Sequence, residues 1–180
     1  MRGVILVLAV FLFPLGALAE PELVVERALW AFTGKPIPGA FNILTVEVRN
    51  VSDEPYQGSI PLAKASVGVP EMQQIGIAPG GKRSVQFTPY VDENGGGVYS
   101  WRLSWDKGLS DLSDFNQDIS GGFPETVALI EDTDTFAKGG EHFPTFPDRY
   151  FPTNVSVTDG LAAVVLSYVP KWEEARAKAF

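Results

Sequence analysis

Short β-rich runs separated by Gly, Pro, Asn and Asp recur over residues 23–106, and no helical period interrupts them. In two of these runs, residues 44–49 and 56–62, apolar and polar side chains alternate. Alternation of this kind is typical of strands with one buried face. Many short strands with turn residues between them predict an antiparallel sandwich. We therefore expect residues 20–108 to form an immunoglobulin-like β-sandwich.

An aromatic row marks the last of these runs. Tyr99, Trp101, Leu103 and Trp105 occupy alternate positions, which places them on one face of a strand. A buried aromatic ring removes on the order of 150–250 Å² from water, so we expect this row to form part of the core. The alternative is an exposed carbohydrate-binding platform, for which Trp30, Trp101 and Trp105 are the candidates.

The first run also carries large apolar residues at alternate positions. Ala28, Trp30 and Phe32 are two residues apart from one another. A strand with this spacing points all three side chains to the same face. The sequence therefore predicts that Ala28, Trp30 and Phe32 lie on one face of the first strand.

The pattern changes after a segment rich in Asp, Ser and Gly, residues 109–124, which is predicted to be a linker. Residues 126–130 and 162–166 are continuous apolar runs, unlike the alternating runs before them. Continuous runs are typical of parallel strands that are covered on both faces. A helix-forming stretch follows over residues 171–180, with Glu174 and Lys178 spaced for an i,i+4 ion pair.

Strand, crossover, strand and helix is the order in which an open α/β sheet begins. Two strands and a short helix cannot enclose a core of their own. Residues 125–180 are therefore expected either to pack on the sandwich or to be the start of a longer α/β domain. The helical stretch reaches Phe180 without a C-cap, which favours a truncated domain.

Acidic residues follow the first continuous run. Glu131, Asp132 and Asp134 come directly after it, at the end of a strand where open parallel sheets place their sites. Their carboxylates are candidate ligands for Mg²⁺ or Ca²⁺. The alternative is a solvated loop in an acidic protein, and we predict no cofactor.

The single histidine, His142, lies in a Gly-rich loop with Asp132, Asp134 and Asp148 nearby in sequence. A histidine oriented by a carboxylate is the general base of many hydrolases. Neither the HExxH spacing nor the GxSxG elbow is present. We therefore expect a structural or solvated histidine and predict no catalytic residue.

An unusual stretch of aromatic residues and prolines covers residues 143–152. Its prolines exclude a regular helix, because each removes a backbone donor and clashes with the preceding turn. We expect a long connection that lays its aromatic rings against the sheet or the sandwich. A partner-binding segment is the alternative.

The N-terminal segment, residues 1–19, has the pattern of a secretory signal. Arg2 precedes an apolar run, which Pro14 and Gly16 interrupt before the small residues ending at Ala19. The run is shorter than the about 20 residues that a transmembrane helix needs. We expect cleavage after Ala19, an extracytoplasmic location, and no transmembrane span in the exported part.

The composition argues against several classes of binding partner and several kinds of chemistry. The chain has 22 acidic and 14 basic residues, a formal net charge of −8, which disfavours nucleic acid and anionic lipid as partners. The absence of cysteine excludes thiol nucleophiles, thiolate metal ligands and disulfides. An exported domain of this size without disulfides is typical of the bacterial envelope or a bacterial secreted protein.

The order of these features resembles a known class of protein. The segment Pro89-Tyr90-Val91, the strand at residues 101–105, and the runs at 127–132 and 159–166 together resemble the start of large bacterial envelope proteins. In those proteins an immunoglobulin-like domain precedes a class I glutamine amidotransferase-like domain, often with a membrane anchor later. The amidotransferase cysteine has no counterpart in this chain, so the resemblance implies the architecture and no activity.

These observations lead to one functional hypothesis and two alternatives. We expect an exported, non-enzymatic interaction or scaffolding module that serves a protein partner or other domains of the same parent protein. The first alternative is the N-terminal part of an enzyme whose catalytic residues lie downstream. The second is a carbohydrate-binding sandwich.

Cleavage after Ala19 is directly testable in a bacterial host. We expect the protein recovered outside the cytoplasm to begin at Glu20, because signal peptidase requires small residues before the cut. The substitution Ala19→Tyr should block cleavage and leave the signal attached. Intact mass measurement checks both forms, and a wild-type protein that keeps residues 1–19 would contradict the prediction.

Overall fold

The computed structural model describes residues 23–64, 69–93, 101–106, 108–112, 122–131 and 142–180. The expected signal segment with Ala19 lies outside these ranges, as do Asp132 and Asp134. The described chain is mainly β, as the sequence predicts. Within those ranges, no helix is both long enough and apolar enough to cross a membrane.

The first part of the described chain forms two antiparallel sheets and a short ribbon. One sheet has the strand order β1-β3-β6, the other has the order β5-β4-β8-β9, and β2 pairs with β7. The strands are β1 (Leu23–Trp30), β2 (Ala40–Phe41), β3 (Leu44–Asn50), β4 (Tyr56–Lys64), β5 (Glu71–Ile77), β6 (Lys82–Phe87), β7 (Tyr90–Val91), β8 (Trp101–Trp105) and β9 (Gly108–Asp111).

The connectivity of these sheets is immunoglobulin-like. The chain crosses from one sheet to the other between β3 and β4, and returns between β5 and β6. Crossings of this kind are the Greek-key connections of immunoglobulin-like sandwiches. The first sheet contains three strands, and the second contains four because β5 pairs with β4. The predicted sandwich is therefore confirmed.

Side-chain alternation accounts for the sandwich core. Leu44, Val46 and Val48 on β3 point between the sheets and are fully buried, whereas Arg49 is exposed. Apolar residues from both sheets complete this core, among them Tyr56, Ile60, Leu62, Val85, Phe87 and Leu103. Burial of each such side chain stabilises the fold by roughly 1.5–3 kcal/mol before entropy is counted.

The last strand of the sandwich lies in the segment that was predicted to be a linker. β9 pairs with β8, and Leu112 after it is fully buried, so the sandwich extends into residues 109–124. A Cβ on Gly108 would lie 2.1 Å from the Trp105 ring. A side chain at position 108 would therefore have to displace the Trp105 ring. The composition of the segment does not distinguish this glycine from a loop glycine.

A buried asparagine fixes the turn between β3 and β4. The Asn50 side chain donates to the carbonyl oxygens of Glu54 (2.7 Å) and Ile77 (3.2 Å), and it accepts from the backbone N–H of Ser52 (3.0 Å). Asn50 is fully buried. The Asn-x-Ser sequence at this position is therefore explained by packing, because buried polar groups must be paired.

The second part of the chain forms a small parallel sheet, called here the α/β unit. Its strands β10 (Glu125–Ile130), β11 (Thr145–Pro147) and β12 (Leu161–Leu166) have the order β11-β10-β12, and both pairings are parallel. The helix α1 (Glu174–Ala179) follows, and Lys178 pairs with Glu174 at 2.6 Å. The parallel strands and the helical ion pair match the predictions from sequence.

Phe32 departs from the prediction. Trp30 enters the sandwich core, but β1 ends there and Ala31 adopts a left-handed backbone conformation with φ of 47°. This conformation breaks the alternation of a strand, and it is uncommon for residues with a Cβ. Phe32 consequently points away from Ala28 and Trp30 and packs against the α/β unit.

This second apolar cluster joins the two parts of the chain. Its buried members come from the loop after β1, from the residue before β3 and from the α/β unit: Phe32, Ile43, Val127, Leu129, Phe146, Phe151 and Val157. The Phe32 ring lies 5.0 Å from Phe146 and 5.9 Å from Phe151, measured between centroids. The α/β unit therefore packs on the sandwich, one of the two arrangements that the sequence left open.

Replacing Phe32 by alanine tests this junction. We expect Phe32→Ala to lower the free energy of unfolding by about 3–5 kcal/mol, because a buried aromatic side chain leaves a cavity. The matched control is Phe41→Ala, since Phe41 is 46% exposed and its ring lies 5.3 Å from the Tyr90 ring, measured between centroids; it should cost less than about 1.5 kcal/mol. Chemical denaturation measures both values, and equal losses would contradict the packing.

Candidate functional site

The carboxyl edge of the parallel sheet brings three polar residues together. Glu131 directly follows β10, Asp148 directly follows β11, and Tyr168 comes two residues after β12. Ile130 pairs with Pro147, and Leu129 pairs with Leu166, so all three strands end at a similar level. This edge is where open parallel sheets place their ligand sites.

Asp148 and Tyr168 are the enclosed members of this group. Asp148 is buried, and so is the hydroxyl oxygen of Tyr168. Burial raises the pKa of the Tyr168 phenol, and the neighbouring carboxylates of Asp148 and Glu131 raise it further. The Tyr168 phenol therefore stays neutral to higher pH than an exposed tyrosine does.

Neighbouring residues hold Asp148 in place. Its backbone carbonyl accepts hydrogen bonds from Trp172 Nε1 (3.2 Å) and from the Phe151 N–H (3.0 Å). The Trp172 ring stacks on Phe151 with centroids 5.1 Å apart. The residues before α1 thus brace the turn that carries Asp148.

The candidate metal ligands from the sequence are only partly placed. Glu131 lies at the carboxyl end of a parallel strand, as expected, and is exposed. Asp132 and Asp134 lie outside the described residues, so the metal hypothesis stays a prediction. Among the residues that the structure describes, no group of three or more His, Asp or Glu side chains is arranged to hold a metal ion.

The structure does not bring His142 together with Asp148. His142 is exposed and precedes β11, whereas Asp148 follows that strand. The two residues therefore lie at opposite ends of a strand. Sequence reasoning considered Asp148 only as a partner of His142 and missed its place beside Tyr168.

The three tryptophans that the carbohydrate hypothesis named pack in or against the sandwich core, and Tyr99 of the aromatic row lies outside the described residues. Trp30 and Trp101 are buried, with ring centroids 5.7 Å apart and planes at 56°. Trp105 is half-buried and packs against the same cluster. These three tryptophans therefore do not provide the exposed platform that the carbohydrate hypothesis required.

The aromatic-proline stretch packs as expected. Phe146 and Phe151 are fully buried in the second cluster, and Tyr150 is half-buried against it. Part of the stretch pairs with β10 as β11, and residues 148–150 form a single 3₁₀ turn. Phe143 stays 41% exposed.

No protein-family model matches the sequence, and no curated protein is significantly similar to it. Among solved structures, the chain is similar to a Paenibacillus sp. cycloisomaltooligosaccharide glucanotransferase complexed with cycloisomaltoheptaose, with a TM-score of 0.37 and 17% identity. The match covers 66% of this chain and 16% of that one. A similarity this weak provides no evidence about the activity or the ligand of this chain.

The environment of Tyr168 has a measurable consequence. Because its folded-state pKa lies above the ordinary value of about 10, its contribution to stability is full below that pH and is lost as pH rises through the folded-state pKa. We expect Tyr168→Phe to leave the absorbance titration of the native protein near pH 10 unchanged. In denaturant the variant should titrate one phenol fewer. Loss of a phenol from the native titration near pH 10 would contradict this environment.

Proposed function

We propose that this chain is an exported, non-enzymatic interaction module of a bacterial cell envelope. In this proposal the sandwich holds the α/β unit in position for a protein partner or for further domains of the same parent protein. The resemblance to envelope proteins with an amidotransferase-like domain supports this architecture. The observation that carries the proposal is that β12 is an apolar, partly exposed strand that pairs with another described strand on one side only.

β12 is apolar and open. Its sequence, Leu-Ala-Ala-Val-Val-Leu, has no charged residue, and Val165 and Leu166 are 37% and 38% exposed. One side of β12 pairs with β10, and no other strand in the described ranges pairs with it. Parallel sheets are normally covered on both faces, and exposed strand edges normally carry charges, prolines or bulges against unwanted pairing. The pairing of β12 with β10 is irregular only at its start, where it passes from Leu161 to Ala163, and it is regular from Ala163 to Leu166. An open strand of this composition favours a further strand beside it, in the manner of β-augmentation.

The sandwich holds β12 in place indirectly, through its contacts with β10 and with the turn after β11. β10 lies between β12 and β11, and its inward residues Val127 and Leu129 pack in the second cluster with Phe32. Gln86 on β6 donates a 2.6 Å hydrogen bond to the Tyr150 carbonyl, which ties the turn after β11 to the sandwich. A partner strand would thus meet a preorganised edge and would avoid part of the ordering cost of binding.

The carboxyl edge favours a second candidate. Glu131, Asp148 and Tyr168 occupy the place where α/β enzymes bind their ligands. The chain would then belong to an enzyme whose catalytic residues lie in other segments of a longer parent protein. In both proposals β12 pairs with another strand, but only the second requires that strand to come from a catalytic domain.

A photo-crosslinking amino acid at Val165 tests the proposal in cells. We expect irradiation to link position 165 to one discrete protein, or to a later segment of the same polypeptide, because β12 should lie against a strand. Mass spectrometry of the linked peptides identifies which of the two is present and whether it belongs to a catalytic domain.

Met72 provides the matched control position. It lies on β5, an edge strand of the sandwich, and is 58% exposed, so it is an apolar residue with at least equal access to partners. Linking from position 72 should be weak and diffuse. Equal yields and equal patterns from the two positions would contradict a specific role for β12.

A further inference from the structure

A groove of about 800 Å³ lies where the α/β unit meets the outer face of the β1-β3-β6 sheet. It is lined by residues of both parts of the chain: Arg27, Glu47, Lys82, Arg83, Ser84, Arg149 and Tyr150. Ligand sites commonly occur at such junctions, and sites of this volume accommodate small molecules. The lining is mostly cationic or hydroxyl-bearing.

Strand register explains why the charges meet on the sandwich side. Arg27 on β1 pairs with Glu47 on β3, which pairs with Ser84 on β6, so the three residues form a row across the sheet. Lys82 pairs with Arg49 in the same sheet. Lys82 also forms ion pairs with Glu26 and Glu47, the latter at 3.6 Å.

The α/β unit supplies an ordered wall opposite these strands. Tyr150 Oη accepts hydrogen bonds from Ser84 Oγ (3.1 Å) and from Arg149 Nη2 (2.6 Å). The Arg149 guanidinium also lies 4.6 Å from the centre of the Tyr150 ring, within the range of a cation–π contact. These contacts hold Arg149 and both hydroxyl groups in fixed positions before any ligand arrives.

The local charge is opposite to that of the whole protein. Among the residues that the structure describes, Arg27, Arg49, Lys82, Arg83 and Arg149 lie in or beside the groove, together with the carboxylates Glu26 and Glu47. The chain as a whole has an excess of acidic residues. Guanidinium groups match the oxygens of phosphate and carboxylate in paired hydrogen bonds, and hydroxyl groups add further donors.

We propose that this groove binds an oxyanion, a phosphate or carboxylate group carried by a small ligand, across the junction between the sandwich and the α/β unit. The proposal goes beyond the proposed interaction function, because it depends on β1, β6 and the turn after β11 and does not involve β12. Either result in the crosslinking experiment leaves it unaffected.

Calorimetric titration of the purified protein tests the proposal, with inorganic phosphate and glucuronate as separate probes. We expect saturable binding of at least one probe, weakening several-fold between about 0.01 M and 0.15 M ionic strength because salt screens exposed charges. The probe that binds more tightly identifies the source of the oxyanion.

Variants locate the bound probe. Arg149→Gln should weaken binding about tenfold, and Arg149→Lys, which keeps the charge but loses the planar fork, should restore part of it. Arg27→Gln provides a second variant on a different element, should Arg149 be needed for folding, and is expected to weaken binding about threefold. Arg102→Gln on β8, in the other sheet, is the matched control and should bind as the wild type does.

The titrations of the wild type and the variants have one outcome that supports the groove and two that overturn it. Saturable binding that Arg149→Gln or Arg27→Gln weakens and Arg102→Gln leaves intact supports the groove. Absence of saturable binding of both probes overturns the proposal. Equal weakening by all three variants also overturns it, because it would reflect the net charge of the protein and not this site.

Discussion

The left-handed turn at Ala31 is the constraint on which the arrangement of this protein depends. It ends β1 at Trp30 and sends Phe32 away from the sandwich core, into contact with Phe146 and Phe151. A left-handed residue with a Cβ costs roughly 1–2 kcal/mol. The burial of Phe32, worth roughly 1.5–3 kcal/mol, offsets that cost. One backbone conformation thus places Trp30 and Phe32, which are two residues apart, in two different cores.

The position of the α/β unit follows from that contact. Its sheet is covered on one side by the second apolar cluster, and the stack of Trp172 on Phe151 extends this cover towards the chain end. β12 lies farthest from Phe146 and β11 in the sheet order, and it carries the exposed apolar residues. The same contact brings Tyr150 beside Ser84 and so creates the cationic groove. The open strand and the groove are therefore two consequences of one packing arrangement.

Most of the strands could be predicted from sequence because their side chains alternate, as in β3 and β8, or form continuous apolar runs, as in β10. β9 and β11 could not, because four and three residues are too short to show a period. β11 even ends in Pro147, and it is a strand only because β10 pairs with it. Glu131 could be placed at the sheet edge from its strand alone. Asp148 and Tyr168 could not be placed there from sequence, because their proximity depends on β11 and on the register of β12.

The acidic character of the whole chain and a cationic groove are compatible because charge acts over short distances. At physiological ionic strength the screening length is about 8 Å, so a compact oxyanion in the groove experiences mainly Arg27, Lys82, Arg149 and their immediate neighbours. An extended polyanion, such as nucleic acid or an anionic membrane, would also experience the net negative charge of the whole chain, which opposes its binding. The net charge therefore disfavours large anionic partners, as expected from the sequence, and is compatible with a small anionic ligand.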